Sequence, residues 1–210
     1  MSPSRTPSRQ PCPHADYTVV DVDNFDGGDL EGWNGAVTST AGFLGGVLGG
    51  FDRLGLSFGV DKQFTLPQHQ FLRLEVDVLA IDNWENDDTY SVVVDGEVFG
   101  PFRKSDGVSQ GNIVGGPADE TLRTVFIDIA HTNQFPVVQV VNTLDDPTAD
   151  ESIAVARVVV STTDCQPSPS ASRSQPPQSP SNTRSASRSQ PPQSPSNTRS
   201  ASRSQPPQSP

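Results

Sequence analysis

The clearest pattern in the chain is a period of two. In residues 71–79, Leu72, Leu74, Val76 and Val78 alternate with Arg73, Glu75 and Asp77. This is the signature of a strand with one buried and one wet face. Related stretches at 17–22, 89–94, 97–102, 122–130, 137–141 and 152–161 predict further strands, and one or two more fall within 54–66, before Pro67. Asp95-Gly96 is a hairpin turn signal. Runs such as Val92-Val93-Val94 and Val158-Val159-Val160 suit strands covered on both sides. Residues 36–51 mix apolar pairs with Gly, and each interior Gly costs a helix about 1 kcal/mol. Residues 107–119 read as a polar, Gly-rich loop. Eight or nine strands separated by turns predict an all-β fold, a two-sheet antiparallel β-sandwich of the jelly-roll kind.

Composition confines that fold to the middle of the chain. Residues 1–11 and 166–210 hold no acidic or aromatic residue and, Met1 apart, no aliphatic larger than Ala. Such segments bury too little apolar surface to offset the entropy of ordering. Disordered Ser/Pro-rich segments are therefore expected on both sides of one domain at 12–165. The tail is a repeat: the fifteen residues at 170–184 recur unchanged at 185–199 and, truncated, at 200–210. With no apolar face to stack, it reads as a semi-extended stalk whose Ser-Pro pairs are candidate O-glycan sites. Its sparse Ser-Arg pairs leave open a kinase-substrate or RNA-processing reading.

Charge divides at the same boundaries. Residues 12–165 carry 25 acidic and seven basic side chains, a balance of −18, while the flanks carry seven Arg. Such a domain repels nucleic acid and anionic lipid and attracts cations. No nucleic-acid partner is expected, and no window is apolar enough to insert in a membrane as a helix. The two cysteines, Cys12 and Cys165, sit at the domain's two edges. Either they close a disulfide, which implies an oxidising compartment, or they are free thiols. Residues 1–11 lack the apolar core of a signal peptide but share the tail's composition. The chain is accordingly expected to be a piece of a longer secreted protein, in which other copies of the same module are candidate partners.

The densest candidate chemistry lies in residues 81–96. Asp82, Glu85, Asp87, Asp88 and Asp95 accompany Asn83, Asn86, Trp84 and Tyr90. Calcium takes six to eight oxygen ligands of these kinds. The spacing follows neither an EF-hand nor a Gly-rich calcium repeat, so a solvated acidic loop is the competing reading. Two further acidic clusters, Asp21, Asp23, Asp26 and Asp29, and Asp145, Asp146, Asp150 and Glu151, would meet this loop if they share one end of a sandwich. Trp33, Trp84 and Tyr90 are candidates either to stack on sugar rings or to pack, Trp84 being set in a polar loop. His14, His69 and His131 lie in turn-like contexts and read as surface residues.

Glu75-Val76-Asp77 resembles the Glu-x-Asp start of retaining β-glucanases built on a lectin-like jelly roll. Their acid/base partner would fall at Leu79 or Ala80 here, so the second carboxylate is missing. Those residues read instead as the wet face of a strand.

Over about 20–161 the chain resembles a family of secreted β-sandwich modules, lectin-like or carbohydrate-binding-like, from large extracellular and cell-surface proteins of protists, algae and bacteria. The resemblance rests on Lys62, Phe64, Leu66 and Pro67, on Ile81, Asp82, Trp84 and Glu85, on Tyr90, Val92, Val94, Asp95 and Gly96, and on Leu144, Asp145, Asp146, Asp150, Glu151 and Ser152. Asn83 and Asn86 depart from the commoner pattern. The resemblance implies an extracellular, non-catalytic adhesion or glycan-binding module, calcium-dependent, with Asp82 and Glu85 near Asp150 and Glu151. Its partner would be a glycan or a cell-surface or matrix protein. A purely structural module of a wall, matrix or appendage protein is the alternative, and a glycan hydrolase a second.

Overall fold

The computed structural model describes residues 16–35 and 37–164. The Cys12–Cys165 pairing, His14 and both Ser/Pro-rich segments lie outside the described residues.

Among the described residues, eleven strands form two antiparallel sheets. They are β1 (Thr18–Asp23), β2 (Thr38–Thr40), β3 (Gly46–Gly49), β4 (Gly59–Gln63), β5 (Phe71–Asp82), β6 (Tyr90–Val94), β7 (Glu97–Phe102), β8 (Val108–Gly111), β9 (Glu120–Ala130), β10 (Val137–Asn142) and β11 (Glu151–Thr163). The larger sheet has the order β2-β3-β11-β5-β9-β8, with β1 also paired to β11. β3 takes Ala154 and Val155 on the edge of β11 facing away from β5, and β1 takes residues 158–162 on that same edge. The smaller sheet has the order β4-β10-β6-β7. The predicted two-sheet antiparallel sandwich is the architecture observed.

The core follows from the period-two rows. Leu72, Leu74, Val76 and Val78 of β5 point inward with Val125 and Ile127 of β9 and Ile153, Val155, Val158 and Val160 of β11. They meet Val60, Val92, Val94, Val138 and Val140 of the smaller sheet. Each such side chain contributes about 1.5–3 kcal/mol when fully buried. The outward row of β5 behaves as expected at one end, where Arg73 donates to Asp128 at 2.7 and 2.9 Å and Arg157 donates to Asp77 at 2.8 Å. At the other end the outward Leu79 and Ile81 are also buried, under Leu44, Phe51, Ile113 and Val114.

Three short strands escaped the pattern. β2, β3 and β8 are three or four residues long, too short for alternation to register. β8 lies inside the predicted 107–119 loop. The Asp95-Gly96 hairpin is present, both residues taking positive φ, 48° and 86°, as a two-residue type I′ connection requires.

Candidate functional site

β5 ends where the candidate loop begins. Asp82 has φ 61°, a left-handed conformation uncommon outside glycine. Its Oδ2 accepts from the Gly116 amide at 2.7 Å, and its carbonyl accepts from the Lys104 ammonium. The β8–β9 loop closes on this carboxylate so tightly that a Cβ on Gly115 or Gly116 would overlap it. Glu120, fully buried, is held by the same loop: its Oε2 accepts from the Ile113 amide at 2.5 Å. Burial pushes the Lys104 ammonium down, while Glu120 and Asp82 oppose that shift.

The chain then crosses to β11. Asn83 donates its amide to the Asp150 carbonyl at 3.0 Å and its side-chain Nδ2 to Asp150 Oδ1 at 3.2 Å. Trp84 donates Nε1 to the Ser152 carbonyl at 3.0 Å and packs edge-on to Tyr90, with ring centroids 6.2 Å apart. Trp84 is half-buried against the main core. It caps the sandwich and keeps one part at the surface.

Residues 85–88 turn back on themselves, the Glu85 amide donating to Asp88 Oδ2 at 2.5 Å. This turn places the Glu85, Asp88 and Glu151 carboxylates together, with one oxygen of each within 4.8 Å of the others. Asp88 is 3% exposed and Glu151 fully buried, whereas Glu85 lies at the surface. Glu151 Oε1 accepts from the Asp146 amide at 2.6 Å; its Oε2 is buried with no partner. Burial pushes the Glu151 carboxyl up to about 7, the Asp146 amide opposing that shift and the Asp88 carboxyl adding to it. Contact with the Asp88 carboxyl likewise raises Glu85. These three hard oxygen donors are the group that could hold a metal ion among the described residues.

Of the six candidate metal ligands, the structure brings Glu85, Asp88 and Glu151 together. Asp82 belongs elsewhere, because its left-handed turn aims the carboxylate at Gly116. Asp87 and Asp150 are exposed and outside the cluster, Asp150 serving to hold Asn83. Tyr90 is a core residue, 2% exposed, wedged between Trp84 and Phe102. Burial pushes its phenol well above the ordinary range. Trp33 is core as well, donating Nε1 to Asp23 Oδ2 at 2.7 Å. The first acidic cluster does not join the others. Asp23 is neutralised by Lys62 at 2.7 Å, and Asp26 accepts from the Gly46 amide.

His69 corrects the surface reading. His69 is 2% exposed, and its ring lies edge to edge with that of His131, nearly coplanar, with planes 16° apart and centroids 5.2 Å apart. Beside them lies a pocket of about 360 Å³ lined by Gln70, Asp95, Ala130, His131, Thr132 and Asn133. It sits at the start of β5, and the carboxylate cluster at its end, roughly 35 Å of strand away. Nothing in the local spacing announces this group, since its members come from three separate turns.

No family model matches the chain, and no curated protein matches it. Among solved structures, it is similar to the CBM22-1 xylan-binding domain of Paenibacillus barcinonensis Xyn10C, with a TM-score of 0.44 and 9% identity over 73% of this chain and 99% of that one. It is also similar to a family 35 carbohydrate-binding module from Clostridium thermocellum, with a TM-score of 0.40 and 16% identity over 68% and 99%. A third is the mannan-recognising module TmCBM27, with a TM-score of 0.41 and 14% identity over 70% and 99%. These neighbours are carbohydrate-binding modules with a β-sandwich fold. At these scores the likeness carries no ligand over to this chain.

Proposed function

We propose that the domain is a non-catalytic, extracellular binding module that takes up calcium through Glu85, Asp88 and Glu151 and binds glycan beside the ion. The reading rests on one observation: Glu151, whose Oε2 is buried and unpartnered, offers a carboxylate oxygen to a three-carboxylate cluster. A buried carboxylate oxygen left unpaired is costly, and a hard divalent ion removes that cost. Glu85 leaves one side of the ion open to solvent. Trp84, at the edge of the same loop, offers part of an indole to a sugar ring, and Asn83 an amide oxygen. Non-catalytic is the better reading of Glu75 and Asp77, because Asp77 is committed to Arg157 and Thr124. The Ser/Pro repeat would serve as a stalk that presents the module from a cell surface or matrix.

Calcium titration with thermal unfolding tests the metal. Calcium at about 100 times its Kd would add about 2.7 kcal/mol, a rise in Tm of about 5–10 °C. No shift at millimolar calcium removes the metal. A glycan array with and without calcium tests the ligand. Binding in neither condition leaves the structural-module reading, which the exposed, unengaged Asp87 and the cross-links from Asn83 and Trp84 to β11 would then favour.

A further inference from the structure

The second group of titratable side chains, at the other end of the sandwich, has a hydrogen-bond count that neutral rings cannot meet. His69 Nδ1 lies 2.7 Å from the Pro67 carbonyl oxygen. A carbonyl only accepts, so Nδ1 carries a proton. His131 Nε2 lies 3.0 Å from Asp95 Oδ2. An ionised carboxylate also only accepts, so that nitrogen carries a proton too. Between them, His69 Nε2 and His131 Nδ1 lie 2.9 Å apart. Two neutral imidazoles have then used both of their protons, and the remaining contact would set lone pair against lone pair. A third proton in that contact, on either nitrogen, turns it into a hydrogen bond.

Asp95 does not hold this proton. Burial alone would raise its carboxyl, but the Asn133 amide, the Val137 amide and His131 outweigh burial and hold it below the usual range. Its Oδ2 accepts from Asn133 Nδ2 at 2.9 Å and its Oδ1 from the Val137 amide at 2.8 Å. The other neighbours bring no counter-charge. Gln70, Thr132 and Asn133 are neutral, Asp128 is engaged with Arg73 on the outer face, and Glu97 and Asp164 are exposed. The array is linear rather than convergent: among the described residues, the groups that could surround a metal are Glu85, Asp88 and Glu151 alone.

The array also joins the two sheets. His69 leads into β5 and His131 follows β9, both in the larger sheet; Asp95 is the turn between β6 and β7 in the smaller one.

We propose that His69, His131 and Asp95 form a proton-dependent clasp: the array holds one proton beyond the two neutral imidazoles, that proton completes the hydrogen-bonded link between the larger sheet and the smaller at this end, and it is lost as the pH rises. The clasp is independent of calcium and of any glycan.

Nitrogen-15 NMR of the imidazoles in the full chain, with calcium saturating, tests it directly. At pH 6.0, three of the four ring nitrogens of His69 and His131 should be protonated; at pH 8.5, two. Two protonated nitrogens at both values overturn the proposal. The titration is read on the folded wild type and needs no variant, so it decides by itself.

Discussion

Asp82 and Glu151 are register partners across β5 and β11, yet their carboxylates serve different loops. Glu151 turns toward Asp88 and the 85–88 turn, while Asp82 turns to the Gly116 amide. One left-handed residue at the end of β5 separates a structural carboxylate from a candidate metal ligand. The distinction is testable. Glu151→Gln and Asp88→Asn should each abolish a calcium-induced rise in Tm, whereas Asp82→Asn should keep it. If Asp82→Asn removes the calcium response while Glu151→Gln spares it, the site has been drawn on the wrong carboxylates.

The raised Glu151 carboxyl sets a pH dependence for the metal-free domain. Its folded value of about 7 lies above the ordinary one, so the folded chain binds the extra proton in between. Its contribution is complete below about pH 4.5 and is lost as the pH climbs through 7. Metal-free wild type should therefore lose Tm from pH 5 to 8 more steeply than Glu151→Gln does. Calcium should flatten the difference, because an ion displaces the proton. Differential scanning calorimetry at four or more pH values, with chelator and with calcium, measures both.

Lys62 is the cation that settles the first acidic cluster. It is 9% exposed, donates to both Asp23 oxygens at 2.7 and 2.9 Å, and sits 4.6 Å from the Phe64 ring centroid. Lys62→Met leaves Asp23 buried with only the Trp33 indole as a side-chain partner. Removing one member of such a pair costs about 3–5 kcal/mol. Urea unfolding should show that loss, and Asp23→Asn in the Lys62→Met background should recover part of it.

Tyr90 separates packing from ligand contact. Its hydroxyl is buried without a partner, so Tyr90→Phe should be neutral or slightly stabilising in urea unfolding, and glycan binding should not change. Trp84→Ala removes both the bond to the Ser152 carbonyl and an indole packed on the core. It should cost about 3–5 kcal/mol, and the array signal should vanish even at temperatures where the variant stays folded.

The sequence by itself determined the long strands and which of their faces is buried. Alternation along 71–79 is a local property, because successive side chains on a strand leave on opposite faces. Leu72 to Val78 therefore declared their burial without reference to anything distant, and the outward Arg73, Glu75 and Asp77 declared theirs. The turn at Asp95-Gly96 was legible for the same reason. What only the tertiary structure decided is which polar groups meet. Glu85 and Glu151 share a site because β11 returns beside β5 in one register, and Asp82 leaves that site because of a single positive φ. His69 and His131 looked like surface residues because their neighbours in sequence are polar. His69 is buried and His131 partly buried because two turns and a hairpin, far apart along the chain, close over one another at the end of the sandwich. Burial of a strand residue is written in its neighbours two places away; burial of a turn residue depends on what the fold brings to it.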